Sequence, residues 1–341
     1  MTPPGPDPIL SVVIPSYNGR HLLATCLASV ARHRPAGIEV EVIVADDAST
    51  DGTAAWLAAA HPDVRLIRLG RNAGFCAAAN AGIDAARGRL IQLLNNDTEV
   101  TAGWVEAGLA PFDDPRVGSV APLVLVRSDP GRVDSAGDQY ALVGWPTKRG
   151  HGEPAARWAG RGPGRVFGAS GSSAFYRAEA LRRVGGFDPS FGSYYEDVDL
   201  AFRLRWAGYD CAFAPGSRIL HEVSASYDHA DPRLQERMSR NAEVLFWSNL
   251  PAGWLALAAL PHAAFTLVQG GYRLLRGRHR PFVAGKVAAL RQWGALGGRR
   301  RARADLARSA AHRPHFPIRV GVASDLINHL RRPPESSSRG G

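Results

Sequence analysis

The stretch Leu90-Ile91-Gln92-Leu93-Leu94-Asn95-Asn96-Asp97-Thr98-Glu99-Val100-Thr101 passes from an apolar run to three short polar groups. The apolar run is too short for a helix of ordinary length. It reads as a strand buried on both faces. Asn95-Asn96-Asp97 then stand at the carboxyl end of that strand, where open α/β sheets bind ligands. Carboxylate and amide oxygens there suit a hard divalent cation and, through it, a diphosphate. The other reading is an ordinary turn. Asn and Asp form turns readily, and Thr98 or Thr101 suits a helix cap.

Three earlier segments repeat the pattern. Leu10–Ile14 is β-branched and ends at Pro15-Ser16-Tyr17-Asn18-Gly19, before an amphipathic helix over Arg20–Arg32. Val40–Ala45 ends at Asp46-Asp47-Ala48-Ser49-Thr50-Asp51-Gly52-Thr53, and a helix through His61 follows. Val64–Leu69 runs into Arg71-Asn72-Ala73-Gly74-Phe75 and the helix Cys76–Ala86. Strand and helix alternate four times, which predicts a mostly parallel sheet with helices on both faces. In such a sheet the polar strand ends share one edge, so four of them in order point to a binding site there. Neither Gly-x-Gly-x-x-Gly after the first strand nor Gly-x-x-x-x-Gly-Lys-Ser/Thr occurs. Phosphate charge therefore has no glycine cradle, and a metal at Asp97 answers it.

Composition bounds the rest. The 341 residues suffice for one large domain and an appendage. Cys26, Cys76 and Cys211 are odd in number and far apart, which argues for a reducing compartment. Residues 1–9 read as a flexible lead-in with no secretory signal. The net charge is +10, yet Arg273 onward carries sixteen bases and three acids. The excess positive charge thus belongs to the tail. It suits an acidic partner, membrane lipid or nucleic acid, or else marks a solvated helix face.

Beyond a strand at Val117–Val126, Arg127–Arg165 is rich in Gly, Pro and Arg and reads as a long functional or mobile loop. Trp145 and Trp158 within it suit either a sugar face or packing. Small residues in Val166-Phe167-Gly168-Ala169-Ser170-Gly171-Ser172-Ser173 let an acceptor approach the backbone, Gly168 in particular, or make a tight strand crossing. Tyr194-Tyr195-Glu196-Asp197-Val198-Asp199 opens a helix to about Ala207. Acids there are favoured by the helix dipole and by capping, so Asp199 is expected to support the helix start. Arg218-Ile219-Leu220-His221-Glu222-Val223-Ser224-Ala225-Ser226 follows a short strand, Cys211–Pro215.

Ser11–Asn18, Asp46–Thr53, Asn72-x-Gly-Phe, Leu93–Thr98, Glu196-Asp197 and His221 together resemble glycosyltransferase family 2, closest to its rhamnosyltransferase-like bacterial branch. The resemblance covers roughly Leu10 to Ser226. It implies the α/β GT-A (nucleotide-diphospho-sugar transferase) fold with a C-terminal helical appendage, and an inverting, metal-dependent reaction. It implies that Tyr17 and Asp46 hold base and ribose, with Pro15 and Asn18 on the same donor side. Asn72 and Asn96 would lie near ribose or diphosphate. Asp97 and His221 would share Mn²⁺ or Mg²⁺ with the diphosphate. Asp197 would be the general base, and Glu196 would orient the acceptor. The family's Asp-x-Asp motif departs here, because Asn95 stands at its first position. The implied partners are a nucleotide-diphosphate sugar and a glycan or lipid-linked acceptor in cell-envelope polysaccharide synthesis. A non-catalytic, transferase-like binding module tethered by its basic tail is the alternative.

The catalytic domain is thus expected over 10–239, a helical region over 240–332 and a disordered tail over 333–341. No Asp, Glu, Lys or Arg occurs from Val244 to Tyr272. Pro251, Pro261 and His262 predict a hairpin or broken helices in a membrane interface, with Trp247 and Trp254 as anchors. Arg273–Arg280 and Arg299–Arg303 would face anionic head groups. This favours a cytoplasmic protein on the inner face of the membrane over a nucleic-acid binder. The alternative is a helical unit packed on the catalytic core or forming an oligomer.

Overall fold

The computed structural model describes residues 9–223 and 230–321. The expected lead-in up to residue 8, Ser224–Ser226, and the tail from 322 lie outside the described residues. The first third alternates as the sequence predicts: β1 (Leu10–Ser16), α1 (Arg20–Arg32), β2 (Val40–Asp46), α2 (Thr53–Ala60), β3 (Arg65–Arg68), α3 (Phe75–Ala85) and β4 (Leu90–Leu94). β1, β2 and β4 are buried almost throughout, as strands covered on both faces should be. Next come β5 (Thr98–Val100), α4 (Trp104–Leu109), β6 (Val117–Val126), β7 (Asp129–Ser135), β8 (Asp138–Ala141), β9 (Trp145–Lys148), α5 (Ala156–Ala159) and β10 (Gly164–Val166). β11 (Ser173–Arg177), α6 (Ala178–Val184), α7 (Glu196–Trp206) and β12 (Asp210–His221) complete the α/β unit.

The main sheet runs β10-β12-β6-β11-β4-β1-β2-β3, with β5 and β7 added at β12 and β6. β1 pairs in parallel with β2 and β4, and β6 pairs in parallel with β12. β11 is antiparallel to both β4 and β6, so it reverses the sheet at its middle. The parallel strands end along one edge, and there the polar turns of β1, β2 and β4 collect.

Arg127–Arg165 is not a loop. It forms β7, β8, β9, α5 and the start of β10, with Val133, Ala136, Tyr140 and Trp158 buried. β8 and β9 form a hairpin whose sheet is completed by β13 (Ile318–Arg319). Trp158 packs in the core between Arg149 and Arg161, and Trp145 packs on Phe265. Both tryptophans therefore serve packing.

Four helices follow the α/β unit: α8 (Pro232–Asn249), α9 (Ala252–Leu275), α10 (His279–Arg291) and α11 (Trp293–Arg308). α8 runs through residues 239 and 240 without a break. Pro251 ends the apolar run's first helix, but α9 continues through Pro261. The next residue, buried His262, ties this turn down. Its Nδ1 donates to the Val143 carbonyl at 2.8 Å, and its Nε2 meets Glu243. The expected break at Pro261-His262 is thus replaced by an anchor. Trp247 donates to Glu243 at 2.9 Å and packs on Phe246, His262 and Trp293. Trp254 packs on the core shared by the helices and the α/β unit. Both expected membrane anchors thus face protein.

Asp199 joins these layers. It is fully buried and meets Arg203 of its own helix at 2.7 Å and Arg303 of α11 at 2.8 Å. Asn249 of α8 donates to it at 3.0 Å. The expected role at the helix start is therefore corrected: Asp199 faces inward and clamps α7 to α8 and α11. Burial would raise its pKa, but the two guanidinium groups outweigh burial and lower it to about 2. Removing one member of a buried ion cluster leaves the others uncompensated. Asp199→Ala should therefore lower stability by about 3–5 kcal/mol in urea unfolding at pH 7. Because the folded pKa is depressed, this contribution is present above the ordinary value of 3.8 and is lost as pH falls toward 2. The gap between wild type and variant should accordingly close over that window. An unchanged urea midpoint at pH 7 would refute the clamp.

Candidate functional site

The carboxyl edge of the sheet is held by its own polar turns. Asn18 adopts a left-handed conformation, with φ 48°. Its N–H donates to Ser49 Oγ at 2.9 Å, and its Oδ1 accepts from Thr50 N–H at 2.8 Å. Asp46 is fully buried, accepts from Ser49 N–H at 3.2 Å and pairs with Arg68 at 3.4 Å. Its neighbour Asp47, given no role beforehand, accepts from Ala73 and Gly74 N–H at 2.7 and 2.8 Å. It fixes the loop that carries exposed Asn72. Asn96 donates to Ser16 Oγ at 3.1 Å. Pro15 lies within β1 opposite Ala45, and the Tyr17 side chain is 49 % exposed.

A cavity of about 270 Å³ adjoins this edge. Asn95, Asp97, Glu196, Asp197 and His221 line it, joined by Asp138 and Lys148 of the β8–β9 hairpin. Pro15, Tyr17, Asn18, Asp46, Asn72 and Asn96 are not among its lining residues. Gly168 lies behind its wall, where an added Cβ would come within 2.5 Å of Ala201 Cβ. It makes the tight crossing, and Gly171 is the glycine that lines the cavity.

β5 pairs antiparallel with the end of β12, and His221 stands opposite Thr98. That ladder brings two residues distant in sequence together: His221 Nε2 lies 3.4 Å from Asp97 Oδ1. On its other side, His221 Nδ1 donates to Asp134 Oδ2 at 3.0 Å. Asp134 is fully buried and also accepts from Lys148 Nζ at 2.8 Å. Burial opposes the charged carboxylate, but hydrogen bonds from His151 and His221, with the Lys148 charge, hold its pKa well below the usual range. Burial likewise opposes the imidazolium. Hydrogen bonds to Asp134 and Asp97 outweigh it and raise His221 to about 9.

Among the described residues, no cluster of three or more His, Cys, Asp or Glu could hold a metal unaided. Asp97 and His221 supply one oxygen and one nitrogen. Asp134 behind the imidazole matches the carboxylate–histidine–metal arrangement that orients a ligating ring. The donor set fits a divalent cation whose other ligands come from a diphosphate and water. A cation there competes with the His221 proton.

The opposite wall behaves differently. Glu196 and Asp197 open α7, but neither caps it. The cap position is Tyr195, and Tyr194 and Tyr195 are both left-handed, with φ 67° and 70°. Non-glycine residues held in that region store strain and cluster at functional sites. The Asn241 amide of α8 secures the turn by donating to the carbonyls of Phe191, Ser193 and Tyr194 at 3.0, 3.1 and 2.8 Å. Asp197 accepts from Gly171 N–H and Val198 N–H, each at 2.8 Å. Burial raises its pKa, and those two donors offset the rise only in part. Burial and the neighbouring Asp197 push Glu196 well above the usual carboxylate range, and the same two causes act on Asp138. Sequence reasoning missed Asp134, Asp138 and Lys148, because all three sit in the stretch it read as a loop.

A parallel-stranded core reversed by one antiparallel strand, with an acidic cavity at its carboxyl edge, defines a GT-A-type transferase. The chain belongs to glycosyl transferase family 2: the family model matches residues 11–185. It is 29 % identical over 318 residues to N-acetylglucosaminyl-diphospho-decaprenol L-rhamnosyltransferase of Mycobacterium tuberculosis, covering 82 % of this chain and 99 % of that protein. S. aureus TarS in complex with UDP-GlcNAc is similar in fold, with a TM-score of 0.55, 17 % identity and coverage of 88 % and 89 % of the two chains. The mannosyltransferase PcManGT from Pyrobaculum calidifontis, in complex with GDP-Man and Mn²⁺, gives 0.52 at 20 % identity, covering 89 % and 87 %.

The Asp134–His221 bond yields a direct expectation. Asp134→Asn keeps the shape but removes the charge that orients the ring. It should weaken Mn²⁺ binding in the presence of UDP or GDP by about 10–100-fold. Calorimetry measures this, and an unchanged affinity would remove Asp134 from the site.

Proposed function

We propose that this family 2 glycosyltransferase is an inverting enzyme. It moves a sugar from a nucleotide-diphosphate donor to a hydroxyl of a glycan or lipid-linked acceptor in cell-envelope polysaccharide synthesis. One observation carries this reading. Asp97 and His221, from the sheet edge, and Glu196 and Asp197, from the start of α7, line the same cavity. The rhamnosyltransferase relative, whose name specifies a lipid-linked acceptor, supports the acceptor class. The nucleotide sugars in the similar structures support the donor class.

Asp97 and His221 hold a divalent cation, Mn²⁺ or Mg²⁺, which when bound supplies charge to neutralise the leaving diphosphate. The donor lies along the edge formed by Pro15, Tyr17, Asn18, Asp46, Asn72 and Asn96. Asp197 takes the proton of the acceptor hydroxyl. As that oxygen bonds to the anomeric carbon, the bond from carbon to diphosphate oxygen breaks on the opposite face. The donor's bond electrons leave with the diphosphate, and the acceptor's proton stays on the carboxylate. A base of raised pKa is suited to this step near neutral pH. Glu196 Oε2 is buried with no hydrogen-bond partner among the described residues, so an acceptor hydroxyl satisfies it. The Gly171 and Val198 N–H groups hold Asp197 in one orientation.

The helical region docks the enzyme on the inner face of the membrane. α9 is long and apolar enough to cross a bilayer, and little of it is buried in protein. Its lateral face and the arginines after it support a position on the membrane rather than through it.

Asp197→Asn should retain donor affinity and lose about 10²–10⁴-fold in turnover, because Asn cannot accept the proton. Turnover close to wild type would exclude Asp197 as base. Asp97→Ala should abolish both transfer and cation-dependent nucleotide binding. Wild-type transfer in excess EDTA would remove the cation from the reaction. The screen that opens these assays is thermal shift with dTDP-, UDP- and GDP-sugars plus Mn²⁺.

A further inference from the structure

A second cavity, of about 370 Å³, lies among α8, α9, α10 and α11. Trp247, Ala263, Thr266, Ala289 and Leu296 line it, and Glu243 at its floor is paired with His262 and Lys286. Its mouth carries Leu267, Leu290 and Trp293, which are 77 %, 64 % and 52 % exposed. The mouth continues onto an apolar stripe of α9. Leu257, Leu260, Leu267, Val268, Leu274 and Leu275 are all exposed. At 3.6 residues per turn they fall within about 120° of arc.

This apolar region is joined to the catalytic cavity by one element. The β8–β9 hairpin lines the catalytic cavity with Asp138, Pro146, Thr147 and Lys148. Its other end rests on α9, where Trp145 packs on Phe265 at 5.3 Å and the Val143 carbonyl binds His262. Lys148 stands three positions after Trp145, so the span is roughly 10 Å at strand rise. Arg273, near the end of α9, is half-buried over the Phe282 ring, and no carboxylate pairs with it among the described residues. Arg276, Arg278 and Arg280 follow it at the turn into α10. An apolar recess, a neighbouring row of cations and a short bridge to the sugar-transfer cavity are complementary to an amphiphile with a hydrocarbon chain and an anionic head.

We propose that the cavity among α8–α11 binds the hydrocarbon chain of a lipid-linked acceptor, whose head reaches the catalytic cavity along the β8–β9 hairpin. This rests on the transferase reading and narrows its acceptor to a lipid diphosphate. The leucine stripe of α9 then faces the membrane that supplies the acceptor, and Arg273 faces the head group.

The test uses the full chain with Mn²⁺ and farnesyl diphosphate below its micellar concentration, read by calorimetry. Inorganic diphosphate and farnesol separate head from chain. Farnesyl diphosphate should bind at least tenfold more tightly than inorganic diphosphate, and farnesol alone should bind with a negative heat-capacity change. Thr266→Trp fills the cavity, and Leu267→Glu charges its exposed mouth. Each should return farnesyl diphosphate to the affinity of inorganic diphosphate. Mn²⁺-dependent hydrolysis of the nucleotide sugar found by thermal shift should stay at the wild-type rate in both. Equal affinity for the two diphosphates in wild type, or a gain that survives both substitutions, would overturn the proposal. So would a concentration-dependent dimer abolished by the same substitutions, which would give the face to a second copy. If the chain-dependent gain is present but wild type hydrolyses no nucleotide sugar, the transferase reading fails and the lipid site stands.

Discussion

A carboxylate buried with two guanidinium groups holds the architecture together. Asp199 meets Arg203 and Arg303 where α7, α8 and α11 converge. Burying these charges is costly, and their close pairing, together with the Asn249 amide, offsets that cost. The arrangement demands one relative placement of three helices. Placement matters because α7 carries Glu196 and Asp197 into the cavity, three and two residues before Asp199. A helix start with no side-chain cap and two strained tyrosines would not hold two raised carboxylates by itself. The helical appendage thus belongs mechanically to the catalytic unit. Asn241, Arg303 and the shared core act on the same turn.

The cavity sorts its carboxylates by partner. Asp134 is as deeply buried as any, yet His221, His151 and Lys148 keep it ionised. For Glu196, Asp197 and Asp138 burial outweighs the nearby cations, Arg237 for the first and Lys148 for the other two, and drives them toward the neutral form. The first kind fixes a ring and a charge. The second kind holds a proton more readily than an ordinary carboxylate. One wall is therefore held charged by its partners. The other, formed by Glu196, Asp197 and Asp138, is shifted by burial toward the protonated form.

Much of this was legible in the sequence. β1, β2 and β4 announce themselves as short apolar runs that stop at polar turns, and α1 has the expected bounds. Asp97 could be named from its place at a strand end, whereas His221, Glu196 and Asp197 are implied only by the resemblance to glycosyltransferase family 2. The β7–β9 region could not be read. Its strands carry Gly, Pro and charged residues with little alternation. They are held by pairing with β6 and by Asp134, whose partners lie 14 to 87 residues away. A buried aspartate whose burial depends on distant cations leaves no local signature. The α9 proline misled for a related reason. Whether a helix continues through Pro261 depended on Val143 and Glu243, which anchor His262 from elsewhere in the fold.

Asn95 becomes intelligible on the same grounds. Its backbone is set by Ser172 and by the Thr98 hydroxyl, while its side chain joins the cavity wall. That wall already contains Asp97, Asp138, Glu196 and Asp197, against the cations Lys148 and His221. A further carboxylate at this place would raise the pKa of its neighbours and add negative charge to a wall already rich in it. An amide keeps a coordinating oxygen and adds N–H donors without that charge. The departure from two acids to one is then matched by the paired imidazole. Asp134 supplies behind His221 the negative charge that orients the ring, on the ring nitrogen opposite to the one that faces Asp97.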